Sequence, residues 1–134
     1  NQLVEPISRL VTNSVSCTSA FSQKAAAAAI QGPQDSVKMM LGEFKERSKI
    51  VVDGFNAING ISCIQPKGAF YAFPNIKNTG YKSQDLSDAL LNQGVAVLPG
   101  TSFGKFGEGY LRISFANSRD NLKKALNIIK EFLD

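Results

Sequence analysis

Apolar residues along this chain change their spacing near residue 60, and the change predicts the architecture. Before it the period is helical. Leu3, Ile7 and Leu10 predict a helix over residues 1–10, the tail of an earlier element. Val11 to Thr18 is rich in Ser, Thr and Asn and reads as a loop. Ser19 to Ile30 contains Ala25 to Ala29, a stretch of high helix propensity that Gln31-Gly32 should end. Pro33 falls where a first helical residue belongs, with Asp35 near the positive end of the helix dipole. Met40, Phe44, Val51, Phe55 and Ile58 then mark one face of a long amphipathic helix closed by Asn59-Gly60.

After Gly60 the elements shorten. Residues 61–65 and 69–73 predict two strands joined by the turn Pro66-Lys67-Gly68, a hairpin ended by Pro74. Ser83 is placed as the N-cap of a helix running to Asn92, with Leu86, Ala89 and Leu90 on one face. Residues 95–98 predict a short strand broken by Pro99-Gly100. A glycine-rich loop, Gly100 to Gly109, leads into one more strand. Leu122, Ala125, Leu126, Ile129 and Leu133 share a face of a last helix beginning near Ser118. The expected fold is α+β: a small sheet of about four strands covered by helices, with a long connecting helix towards its N-terminal side.

Arg112 is the one charge in the run Gly109-Tyr110-Leu111-Arg112-Ile113-Ser114-Phe115-Ala116. Alternation sets Leu111, Ile113 and Phe115 on one strand face and Tyr110, Arg112 and Ser114 on the other. An unpaired buried cation is costly, so the guanidinium needs a counter-charge or solvent. An internal Asp or Glu, a half-exposed strand face and a planar anionic ligand each satisfy that need. Local spacing leaves the three open.

Composition removes several function classes. The 134 residues suit one domain with a real core, and the net charge of +4 comes without a run of five like charges, so a dedicated nucleic-acid binder is not indicated. No apolar stretch approaches the roughly 20 residues that span a bilayer. The absence of histidine excludes a Ser-His-Asp or Cys-His site within this chain, and Cys17 and Cys63 cannot make a zinc site alone. The two distant thiols read as structural or incidental, in a reducing compartment. The chain does not begin with Met and shows no leader, which suggests a processed product or an excised piece.

Local motifs add little chemistry. The glycines of Pro99 to Gly104 run into a strand rather than a helix N-terminus, so phosphate-loop geometry is not expected. Lys67 to Phe73 has the composition of a base-stacking strand, but its small residue precedes its aromatic where an RNA-recognition motif needs the reverse. Asp85 and Asp88 share a helix face beside Lys82 and read as solvated surface. Lys24 and Lys67 lack a neighbour that would lower a lysine pKa. No catalytic residue is assigned.

In order along the chain, several segments resemble class I/II, fold-type I aminotransferases that use pyridoxal phosphate. They are the loop before Ser22-Gln23-Lys24-Ala25-Ala26, the long helix with Phe44 to Arg47, and Pro66-Lys67-Gly68-Ala69-Phe70-Tyr71. Gly94 to Gly100 with Phe103-Gly104 follows, and then Gly109 to Ala116. The resemblance covers nearly the whole chain and is to the C-terminal part of that family. It implies that residues 1–32 connect from an absent large domain and that 33–134 form the small domain. It further implies that Arg112 forks onto the substrate α-carboxylate, that Phe70 beside the Gly68 turn walls the substrate pocket, and that the loop Pro99 to Gly104 supports Arg112 from behind. The departure is at Asn13-Ser14, where the family pattern has Asn-Pro, so no site residue is carried over from that loop.

The Schiff-base lysine, the aspartate for the pyridine nitrogen and the phosphate-binding groups have no match here. Lys24 lies in the Ala-rich helix beyond the lysine motif, and Asp53 lies within the long helix. The resemblance therefore implies a cytoplasmic, homodimeric parent acting on amino acids and 2-oxo acids. The isolated chain is expected to be inactive and to hold no cofactor. Two other readings remain at this point: a stand-alone module that binds an amino acid as effector, and a plain interaction domain with Arg112 in a structural ion pair.

Overall fold

The computed structural model describes residues 2–134, which divide after Val37 into two units. The first unit holds α1 (Val4–Ser14) and α2 (Ala20–Gln31). Asn1, the first residue of the expected opening helix, lies outside the described residues. The helix runs past Leu10 to Ser14. Thr12, Asn13 and Ser14 donate to the carbonyls of Ser8, Arg9 and Leu10 at 2.9, 2.8 and 2.7 Å. Much of the expected loop is thus helical. Neither α1 nor α2 buries a residue.

The long helix, α3 (Asp35–Asn56), starts two residues after Pro33 and ends before Asn59-Gly60. Its inner face is Ser48, Val51, Val52 and Phe55. The next helix, α4 (Ser83–Asn92), buries Leu86 and Leu90. The last, α5 (Arg119–Leu133), begins at an N-cap Ser118 whose hydroxyl accepts from the Asn121 N–H, and it buries Leu122, Leu126 and Ile129. Gly54 on α3 leaves room for Leu126, since a Cβ there would collide with the leucine methyls. Glu43 on α3 also accepts from Arg119, with Nε at 3.0 Å and Nη2 at 2.5 Å, and from Arg47 Nε at 2.8 Å.

Three short strands form one antiparallel sheet: β1 (Tyr71–Ala72), β2 (Leu98–Pro99) and β3 (Leu111–Ser114), in the order β1-β3-β2. Tyr71 pairs with Ser114 and Leu98 with Arg112, so β3 is central. The fold is α+β as expected, with fewer paired strands. The predicted strand at 61–65 is a single bridge between Ser62 and Asn75, and no hairpin joins it to 69–73. Its backbone groups are taken by a side chain: the Asn56 amide accepts from the Cys63 N–H at 2.7 Å and donates to the Cys63 carbonyl at 3.0 Å. The strand predicted at 95–98 is trimmed for a similar reason. Ser87 Oγ donates to the Val97 carbonyl at 2.9 Å, and the Val95 N–H donates to Leu90 at 2.9 Å. Burial still alternates as in a strand, with Ile61, Cys63, Val95 and Val97 inside. In both segments the ladder lost backbone partners to side chains.

Candidate functional site

On β3 the alternation puts Leu111, Ile113 and Phe115 in the core, leaves Tyr110 and Arg112 half-buried, and exposes Ser114. The Arg112 guanidinium carbon lies 3.8 Å from the centroid of the Phe103 ring and 4.4 Å from that of Tyr71. Arg9, Arg47 and Arg119 each form a salt bridge, and among the described residues none involves Arg112. The internal ion pair that local sequence left open is therefore not formed here. The guanidinium instead borders a depression of about 220 Å³, lined by Tyr71, Ala96, Val97, Leu98, Arg112 and Ser114.

Phe103 is carried by a 3-10 turn, Gly100–Phe103, that follows β2 directly. The neck of this loop is a contact of backbone on backbone. A Cβ on Gly107 would land on the Gly100 carbonyl, and one on Gly100 would meet the carbonyls of Gly107 and Tyr110. The Gly100 N–H donates to Tyr110 at 2.8 Å. From the other side, Ser83 Oγ accepts from the N–H groups of Gly109 at 2.9 Å and Tyr110 at 3.2 Å.

Ser83 is thus the first residue of α4 and not its N-cap, which is Lys82. Its side chain faces inward because the neck uses its hydroxyl. The capping role passes to Glu108, whose Oε1 accepts from the Ser83 N–H at 2.9 Å and from the Gly109 N–H at 3.1 Å. These bonds, Ser83 N–H first, hold the Glu108 carboxyl below its ordinary range.

The other residues singled out in the sequence are placed as follows. The Phe70 side chain is exposed and packs on Tyr71, with centroids 4.5 Å apart, and its carbonyl accepts from Phe115 at 2.9 Å. It therefore reaches Arg112 through Tyr71. Gly68 lies in a second depression, about 210 Å³, with Lys67, Ala69, Phe44 and Lys45; Arg112 does not line it. Between Gly68 and Phe70, Ala69 holds φ at 58°, a left-handed conformation unusual for a residue with a Cβ. Sequence reasoning anticipated the loop behind Arg112 but neither ring on it. The available signal was an aromatic in each segment flanking the arginine strand.

Comparison with known proteins gives the family. The sequence profile of Aminotransferase class I and II matches residues 2–129, and the chain belongs to that family. It is 39% identical to an aspartate aminotransferase of Pyrococcus horikoshii across 100% of this chain and 35% of the relative. It is 44% identical to a probable N-acetyl-LL-diaminopimelate aminotransferase of Bacillus subtilis over 89% of this chain and 30% of the relative. In three dimensions it matches an aromatic aminotransferase from Pyrococcus horikoshii with a TM-score of 0.86 at 38% identity, covering 93% of this chain and 34% of that one. The chain thus spans about a third of the length of the relatives it matches.

The family implies pyridoxal phosphate, and the residues beside Arg112 do not fit that group. The lining of its depression offers no lysine for a Schiff base and no acid for a pyridine nitrogen. Lys67 and Lys45 border the other depression. Among the described residues no three His, Cys, Asp or Glu side chains gather as a metal site, and no helix is long and apolar enough to cross a membrane. Cys17 is exposed; Cys63 is buried, and burial pushes its thiol pKa up.

Proposed function

We propose that this chain is the carboxylate-gripping part of a pyridoxal-phosphate-dependent aminotransferase that moves an amino group between an amino acid and a 2-oxo acid. The observation that carries the reading is Arg112: a guanidinium between two rings, without an ion-pair partner among the described residues, bordering a small depression. Its in-plane N–H groups match the two oxygens of a carboxylate. Held there, an α-carboxylate fixes the direction of the substrate's Cα–H bond, which is how a binding residue contributes to rate without touching the proton. Phe70 serves as a wall beside Tyr71, and the Gly68 turn brings that wall into place.

In this reading residues 1–32 connect to a large domain and 33–134 are the small domain. The large domain and a homodimeric partner supply the Schiff-base lysine and the cofactor site, in a cytoplasmic enzyme. The isolated chain then neither holds the cofactor nor turns over substrate.

The test is Arg112→Lys in the whole protein. A lysine keeps the charge and loses the fork. Efficiency, kcat/KM, for both amino donor and 2-oxo acid should fall by roughly 10²–10³-fold, with the cofactor absorbance intact. An unchanged kcat/KM for the amino donor would sink the assignment.

A further inference from the structure

The guanidinium of Arg112 is the middle link of a row of rings. On one side Tyr71 packs on Phe70 at 4.5 Å, and Phe70 approaches Phe44 at 6.2 Å. On the other side Phe103 meets Phe73 edge-on at 6.3 Å and 78°, and Phe73 stacks on Tyr110 at 5.3 Å and 17°. Tyr71 and Phe103 make no ring contact with each other among the described residues, and each lies within 4.4 Å of the Arg112 guanidinium carbon. They also come from different flanks of β3. Tyr71 stands on β1, diagonal to Arg112 across the Tyr71–Ser114 pair, and Phe103 follows β2.

A guanidinium is weakly hydrated over its faces and strongly hydrated at its N–H edge. Rings over the faces therefore cost little solvation and contribute a cation–π attraction, while the edge stays free for hydrogen bonds. They also remove the rotation that a long arginine side chain otherwise keeps. The Gly100–Gly107 neck and the Ser83 hydroxyl bonds fix the turn that carries Phe103.

We propose that Tyr71 and Phe103 are positioning residues: together they set the plane in which Arg112 presents its fork. This inference rests on the reading of Arg112 as the α-carboxylate binder. The ligand class that fits is a planar carboxylate meeting the guanidinium edge-to-edge. The fork survives loss of the rings and still orients the carboxylate once it is seated, so the loss falls on substrate binding and appears in KM more than in kcat.

The experiment uses the full-length holoenzyme with L-aspartate, the amino acid in the names of several relatives, as donor. Phe103→Leu and Tyr71→Leu keep apolar bulk and remove the ring. Each should raise KM for L-aspartate about five- to thirtyfold while kcat changes less than about threefold. Phe103→Tyr and Tyr71→Phe keep a ring and should retain the parent KM. If a leucine variant fails to fold, pentafluorophenylalanine at position 103 preserves the shape but reverses the charge of the ring face, and it should raise KM similarly.

Arg112→Gln runs alongside as the reference. A large rise in KM for Arg112→Gln, with no change for the leucine and fluorinated variants, overturns the clamp and leaves the carboxylate reading standing. No rise for Arg112→Gln removes the carboxylate reading itself.

Discussion

Helices α1 and α5 carry apolar residues at the same helical spacing, yet only α5 buries them. On α5, Leu122, Leu126 and Ile129 are 3%, 7% and 0% exposed, whereas Ile7 and Leu10 on α1 are 55% and 70% exposed. The difference does not lie in the pattern. For α5 the facing surface is α3 at Gly54; α1 buries none of its residues. An amphipathic stripe states that a helix needs a partner and says nothing about where the partner comes from.

Phe55 is fully buried on the inner face of α3. Phe55→Ala should cost about 3–5 kcal/mol in urea unfolding of this chain, through lost burial and the cavity left behind. A loss below about 1 kcal/mol would mean that the second unit does not pack as described.

The Glu43 clasp sharpens the comparison next, because it ties α5 to α3. Its hydrogen bonds from Arg119, and then from Arg47, lower the Glu43 pKa from 4.5 to about 2. A lowered carboxyl contributes stability in full above about 4.5 and loses it as pH falls through about 2. Glu43→Gln should therefore lower the urea midpoint at neutral pH, and the gap to the parent chain should close between those two values. The gap should also shrink in high salt, since the side chains are partly exposed. A gap that stays constant down to pH 2 would mean the clasp does not form.

The smallest effect is expected on α1. Leu10→Ala should change the unfolding free energy of this chain by no more than roughly 0.5 kcal/mol, as at other exposed positions. A cost near that of Phe55→Ala would show that α1 finds a partner in solution, and the contrast with α5 would disappear.

Much of this arrangement was legible in the sequence, for identifiable reasons. Most helices were legible because their backbone partners lie within the same segment, so the apolar period suffices; Ser83, expected as a cap, turns inward instead. Where side chains intervened, the bounds moved. Asn56 and Ser87 took the backbone groups that two predicted strands required. The facing of Arg112 followed from alternation alone. Its aromatic neighbours did not, since Tyr71 reaches it only through strand register and Phe103 only through an irregular turn held by distant Ser83. Family resemblance linked Arg112, Phe70 and the loop without specifying that geometry.

The pinch between Gly100 and Gly107 has a practical consequence for anyone instrumenting the site. It splits the loop into a neck that tolerates no added side chain and a tip where Lys105 and Phe106 stand in solvent. A fluorine label at Phe106, which is 85% exposed, would sit on the same short tether as Phe103 without altering the neck. Such a reporter would register from a distance a change at the Phe103 ring beside Arg112, as a float registers a tug on the line below it.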